Sequence, residues 1–360
     1  MFSAAVPSIA VPVSARTRAV SSYTDLSRQV RAAGLLERRL GYYWALFASL
    51  ATAFVACWTA FGLLGDSWWQ LLVAAALAVT VTQFGFLGHD AAHRQIFASG
   101  PWNDWTARVS SGAFAGLSFA WWSRKHNRHH AGPNQVSKDP DIADGAILFV
   151  PSLTRGKTGL RAAFIRNQGY LFFPLLTLEG INLHIAGLRT LAGDRTLPHR
   201  RLEMTLIVTR LAAEFVAVAW VLSPLKAAAF LAVQFGLFGV LLGGSFAPNH
   251  KGMPLVPKTS RLDFMTRQVL MSRNIDGGLV TDFAMGGLNY QIEHHLFPNM
   301  PRPNLRRAQP MVRAFCVQQG IPYTQTSLFT SYGIVVRYLN SVGLRERDPF
   351  VCPMTQQYRA

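Results

Sequence analysis

The sequence predicts an all-α integral membrane protein, with four transmembrane helices in two hairpins and a cytosolic helical cap that gathers clustered histidines. Three observations predict this. Long apolar runs come in two closely joined pairs. The short turns inside each pair are almost free of basic residues. Seven of the ten histidines fall in three short boxes that follow the hairpins.

Residues 1–40 come first. They open Met-Phe-Ser-Ala-Ala-Val-Pro and then carry Arg16, Arg18, Arg28, Arg31, Arg38 and Arg39. A signal peptide has its positive charge before its apolar core, and here the order is reversed. The segment is expected to be a flexible cytosolic tail with a short amphipathic helix.

The main domain is expected over 41–320. Residues 41–64 and the run from Trp68 to His89 contain no charged side chain, and each exceeds the ~20 residues that cross a ~30 Å hydrocarbon core. Gly65-Asp66-Ser67 joins them as a tight hairpin. A second pair runs from Thr205 to Leu222 and from Leu225 to about Phe246, joined by Ser223-Pro224. Backbone groups in lipid must be satisfied within the chain, so these runs are helices. Apart from Lys226 the turns lack basic residues, whereas the N-terminal tail, residues 90–204 and the region after 250 hold nearly all of them. By the positive-inside rule those three regions are expected in the cytosol. An even number of crossings then separates the histidine boxes, so they can meet on one side.

Between the hairpins, Trp105–Trp122 and Phe164–Ala186 are apolar but interrupted by Arg108, Arg166, Glu179 and Asn182, as expected of helices lying along the interface. Residues 304–319 and 327–344 read as further cytosolic helices. Residues 321–360 form a C-terminal helix and tail.

A net charge of +17 raises the question of nucleic acid. The apolar runs answer it, because a basic membrane protein carries its Lys and Arg in loops, and no nucleic-acid-binding motif is present. Three scattered cysteines, Cys57, Cys316 and Cys352, imply no disulfide framework. The excess of Arg over Lys and the abundant Ala read as a GC-rich bacterial genome, hence a bacterial cell membrane.

The boxes are His89-Asp90-Ala91-Ala92-His93, His126-Asn127-Arg128-His129-His130 and Gln291-Ile292-Glu293-His294-His295. Imidazoles three or four residues apart share one helix face and can share a metal. An eighth histidine, His250, lies just past the fourth span. Neutral imidazole suits Zn, Cu, Fe and Ni. Structural zinc takes four ligands and usually some Cys, so eight histidines divide instead into two four-ligand metals with open positions, an arrangement that permits O2 chemistry. With six Glu and no Glu-x-x-His in the chain, a carboxylate-bridged bundle site is excluded.

Gly88-His-Asp-Ala-Ala-His93, His126-Asn-Arg-His-His130 with Asn134 and Asp139-Pro-Asp141, and Asn289-Tyr-Gln-Ile-Glu-His-His-Leu-Phe-Pro298 resemble the integral-membrane fatty acid desaturases over about residues 40–320. The Gln-x-x-His-His box is similar to the front-end and linoleoyl-CoA-type branch. The resemblance implies two Fe ions held by His89, His93, His126, His129, His130, His250, His294 and His295, with O2 as co-substrate. It implies a cis double bond introduced into a fatty acyl chain linked to CoA or lipid. Many desaturases have His where this chain has Gln291, so three alternatives stay open there: a bond through the amide oxygen, a bond through water, or none. Acyl-CoA desaturases carry Asn at the place of Phe246, so a water-linked Asn ligand is not expected. The His-Pro-Gly-Gly motif of a fused cytochrome b5 domain is not found. Electrons from NAD(P)H are therefore expected through a separate carrier: ferredoxin, cytochrome b5 or a reductase.

Metal-bound histidines usually give their other N–H to an acid or carbonyl. Asp90, Asn134, Asp139, Asp141 and Glu293 are the candidates, against helix capping or a solvated loop role for the two aspartates downstream of box two and an ion pair with Arg302 or Arg306 for Glu293. His184 and His199 read as polar surface, and Trp121 and Trp122 as interface anchors rather than substrate wall. Arg155, Lys157, Arg161 and Arg166 read as an anchor to anionic lipid, with CoA phosphates or an acidic ferredoxin as the other reading. Two rival functions remain: a related di-iron hydroxylase or ketolase, and, more remotely, a metal transporter. Transporters hold ligands near the bilayer midplane, and here the spans have no His before their ends.

Overall fold

A computed structural model of the chain describes residues 13–260 and 262–344. The final residues of the expected C-terminal tail, with Cys352, and the first 12 residues lie outside the described residues. The helices are α1 (Val13–Ala32), α2 (Leu40–Leu64), α3 (Gln70–Ala92), α4 (Gly100–Arg108), α5 (Phe119–Ala131), α6 (Gly159–Arg166), α7 (Gln168–Leu176) and α8 (Glu179–Gly193). They continue with α9 (Arg200–Val221), α10 (Pro224–His250), α11 (Phe264–Leu270), α12 (Leu279–Ala284), α13 (Gln291–Leu296), α14 (Arg302–Gln318) and α15 (Leu328–Gly343). Two short parallel strands, β1 (Asn274–Ile275) and β2 (Gln325–Thr326), pair in the cap.

Among the described residues four helices are long and apolar enough to cross a membrane: α2, α3, α9 and α10. They coincide with the four runs read from sequence. The expected interfacial helices are broken. A π-helical turn (Val109–Phe114) follows α4 directly, and α7 and α8 meet at 75°, where Pro174 sits near the end of α7.

Polar contacts fasten the hairpin tips to each other. Asp66 accepts from Ser223 N at 2.9 Å and from Lys226 Nζ at 3.0 Å. Both turns therefore share one end of the bundle, while His89 and His250 close α3 and α10 at the other. Helix α3 is the inner span, with 67% of its apolar window buried against 11% in α2. A Cβ at Gly88 would collide with Ser111 Oγ, so glycine permits the close approach of the π-helical turn. Two ionisable groups inside α9 are paired as expected of charges at membrane depth. Arg210 Nη1 donates to Glu214 at 2.6 Å, and its Nε donates to Phe114 O at 3.1 Å.

Above the spans α1 packs Leu26 and Val30 against Leu305, Val312 and Phe315 of α14 and against α13. Pro248 near the end of α10 has no N–H to give back along the helix. The hydroxyl of Tyr332 on α15 serves Gly244 O at 2.9 Å, and Arg273 Nε binds Pro248 O at 2.9 Å. The helix thus continues to His250 across a proline, held by the cap.

Candidate metal centre

Box one ends α3, with His89 in the last turn and His93 at its C-cap. Box two lies on α5, where Ser118 caps the N-terminus and accepts from Trp121 N. Glu203 of α9 reinforces that cap, its Oε2 accepting from Ser118 Oγ at 2.8 Å and Ala120 N at 3.0 Å. A carboxylate suits the positive end of a helix, and Arg108 lies 3.4 Å from its other oxygen. Box three occupies α13.

The eight box and span-end histidines converge, and they divide unequally. Nitrogens of His89, His93, His126 and His294 lie within 4.8 Å of one another, as do those of His129, His250 and His295. His130 adjoins the first group, its Nε2 2.9 Å from His126 Nε2 and 3.1 Å from His294 Nε2. Its ring also stacks on His295 at 4.2 Å, linking the groups. The structure thus gathers four histidines and three, with His130 standing between the two groups.

In the smaller group the ring orientations are set from behind. Nδ1 of His129 is 2.9 Å from Asp139 Oδ2, Nδ1 of His250 is 3.0 Å from Met271 O, and Nδ1 of His295 is 2.9 Å from Gln268 Oε1. Each partner is an acceptor, so each Nδ1 carries the proton and each Nε2 keeps a lone pair turned inward. Burial first, then neighbouring imidazoles, hold His93, His126, His130, His294 and His295 well below the usual imidazole range, hence neutral. Buried nitrogens of His89, His93, His130, His294 and His295 have no hydrogen-bond partner. With their Nδ1–H groups turned outward, the three Nε2 lone pairs of the smaller group cannot satisfy one another, and unpaired buried polar atoms are costly. Bound cations resolve both conditions, so the donor set fits metal.

The acids behind the boxes do different work. Asp139 orients His129 and also accepts from Asn134 N at 2.8 Å, so the histidine role and the loop role coexist. Asp141 lies 3.5 Å from His129 Nδ1 and pairs with Lys125 at 2.9 Å. Asn134, left-handed with φ 53°, acts through the backbone: its Nδ2 donates to His250 O at 3.1 Å and Pro254 O at 3.3 Å, joining the loop to the end of α10. Asp90 Oδ1 stands 3.5 Å from His89 Nδ1, beyond a good hydrogen bond, while its Oδ2 takes Arg302 Nε at 2.7 Å.

Glu293 departs from expectation. Its partners are Asn274 Nδ2 at 2.7 Å and Tyr323 Oη at 2.8 Å, and burial pushes its carboxyl up to about 7. Arg302 is committed to Asp90, and Arg306 lies 3.8 Å from Asp282. The reason is which neighbours reach it: Asn274 of β1 and Tyr323, just before β2, occupy both Glu293 oxygens, while Arg302 is held by Asp90 of α3. Trp122 is also placed differently. Its ring stacks on His126 at 4.3 Å and meets His89 at 5.3 Å, and Phe246 lies 6.2 Å from His89. Both form apolar wall around the larger group. His184 is buried rather than polar surface; with its Nδ1 against Gly180 O it lines an apolar cavity of about 520 Å³ between α8, α9 and α10. Neither His184 nor His199 joins the groups. Gln268 and the Met271 carbonyl escaped the sequence reading, because nothing in local spacing marks them.

Residues 66–327 match the fatty acid desaturase family. The chain belongs to that family. It is 29% identical over 354 residues to the Delta(8)-fatty-acid desaturase of Helianthus annuus, spanning 91% of this chain and 74% of that protein. It is 28% identical to the Delta(6)-fatty-acid desaturase fat-3 of Caenorhabditis elegans, over 92% of this chain and 77% of the relative. To the acyl-lipid (9-3)-desaturase of Physcomitrium patens it is 34% identical, over 76% of this chain and 53% of the relative. These relatives are eukaryotic and lend no support to the bacterial reading of composition. The chain is a membrane fatty acid desaturase, an oxidoreductase whose histidine clusters match the histidine boxes read from sequence.

Proposed function

We propose that this desaturase uses O2 to introduce a cis double bond into a fatty acyl chain carried on CoA or lipid, at a di-iron centre. The observation that carries the reading is the convergence of eight histidines, free of cysteine, into two groups whose nitrogens lie within hydrogen-bond or metal-sharing distance. His89, His93, His126, His130 and His294 would hold one iron, and His129, His250 and His295 the other. Iron held there would activate O2, the oxidant, for removal of hydrogen from an unactivated methylene, with two electrons from the carrier completing the reduction of O2 to water. The chain's own residues do the rest. Asp139, Gln268 and Met271 O aim three imidazoles inward. Trp122 and Phe246 keep water from the larger group. Three protein nitrogens leave room for an outside ligand at the smaller group.

The bilayer supports the spans, and the basic segments around the boxes support a cytosolic orientation. A separate electron carrier is proposed to dock on this basic face, where opposite charge would speed encounter. Purified protein should be inert with NADPH alone and active once a reductase and carrier are added; activity without them overturns that part. Expression in a host lacking polyunsaturated lipids, with mass spectrometry of the acyl chains, tests the reaction. A product lacking two hydrogens is expected, and its fragmentation locates the double bond. A product that gains oxygen instead identifies a hydroxylase.

A further inference from the structure

Gln291 opens α13, and its side chain is 1% exposed. Its carboxamide lies between two groups. Oε1 is 3.1 Å from Asn249 Nδ2, and Nε2 is 2.9 Å from His250 Nε2. Which end of the amide faces the histidines decides whether Gln291 is a ligand, because the oxygen can bind a metal and the NH2 cannot. Asn249 decides it. Its Nδ2 donates to Ser245 O at 3.1 Å and to Leu288 O at 3.0 Å. Those two carbonyls take the two hydrogens of the Asn249 nitrogen and so fix that nitrogen, not Oδ1, as the end that faces Gln291. Gln291 Oε1 is then a third, shared acceptor on an electropositive NH2, whereas an NH2 in its place would confront another NH2 with nothing to accept a proton. The carboxamide is therefore held with Oε1 toward Asn249 and Nε2 toward His250, whether or not His250 Nε2 is bound to a metal.

The smaller histidine group then contains three inward lone pairs and one inward N–H. We propose that Gln291 is not a fourth protein ligand there, but a hydrogen-bond donor to an exogenous, lone-pair-bearing ligand taken up at the His129–His250–His295 position. The proposal rests on the metal-centre reading above and deepens it. It assigns the open position to the three-histidine group rather than to the five-histidine group.

Azide is a suitable probe, since it binds iron and accepts hydrogen bonds. Iron-loaded, full-length protein is titrated with azide by optical spectroscopy, and iron is counted per chain, for the wild type, Gln291→Ala and the near-isosteric Gln291→Glu. Gln291→Ala should keep the wild-type iron count while its azide Kd rises about ten- to a hundredfold, the loss of a hydrogen bond to a charged acceptor. Gln291→Glu keeps the volume and replaces the donor by an acceptor, so it should weaken azide at least as much, and it carries the test if the alanine variant does not fold. Loss of one iron per chain in Gln291→Ala would make Gln291 a ligand and overturn the proposal. Unchanged azide affinity in either variant would overturn it as well. A wild type that binds no iron overturns the metal-centre reading itself, and that result is seen before any variant is made.

Discussion

Arg302→Leu removes the cation that faces Asp90. Asp90 is 2% exposed, and its closest partner is Arg302 Nε at 2.7 Å. What remains is the Tyr43 hydroxyl at 3.3 Å, which also faces Gln95 Oε1 at 3.2 Å, and His89 Nδ1 at 3.5 Å. Neither substitutes for a guanidinium. Breaking a buried pair by removing one partner costs about 3–5 kcal/mol. The shift is roughly 2–4 °C per kcal/mol for chains of about 150–250 residues and smaller for a longer one, so the melting temperature in detergent should fall by several degrees, and by no more than about 20 °C. The double variant Asp90→Leu/Arg302→Leu removes both charges, so it should be more stable than the Arg302→Leu single variant, with a coupling energy above about 1 kcal/mol. Because Asp90 holds His89 only loosely, iron content should stay near the wild-type value in protein that folds. A melting temperature within about 1 °C of wild type, or single-variant effects that simply add, would show that the pair does not join α3 to α14. Loss of iron from folded Arg302→Leu would show that Asp90 orients His89 after all.

Alanine at any one of His89, His93, His126, His129, His130, His250, His294 or His295 should abolish activity and lower iron per chain, whereas His184→Ala and His199→Ala should keep the wild-type iron count; full activity in His250→Ala would remove that residue from the set. Cysteine labelling in intact cells should reach a Cys placed at Ser67 with an impermeant reagent and spare one at Ser137, and the reverse pattern would put the boxes on the other side. Gly180→Ala adds a Cβ 2.7 Å from Phe235 O, where α8 crosses α10. Overpacking of this kind costs about 1–3 kcal/mol, and thermal unfolding should show the loss while iron binding persists; an unchanged melting temperature would mean that α8 shifts freely.

The four spans were legible because lipid imposes a local rule: a helix crossing it needs about 20 apolar residues in succession, and residues 41–64 or Trp68–His89 meet that rule without reference to the rest of the chain. The boxes were legible for a similar reason, since the helical period alone places His126 beside His129 and His130. Even their meeting was implied by counting crossings. What the local pattern could not contain was direction in space. Whether His130 turns to His294 or only to His295, whether Arg302 takes Asp90 or Glu293, and whether Trp122 faces lipid or His89 depend on contacts between residues tens to hundreds of positions apart. The separation of the histidines into two groups with His130 between them, the acceptors Gln268 and Met271 O behind the rings, and the sense of the Gln291 amide all arise there. Each is set by a partner brought in by the packing of α5, α10, α11 and α13, and a side chain's partner in a buried cluster is decided by which neighbour leaves a lone pair or a proton unsatisfied.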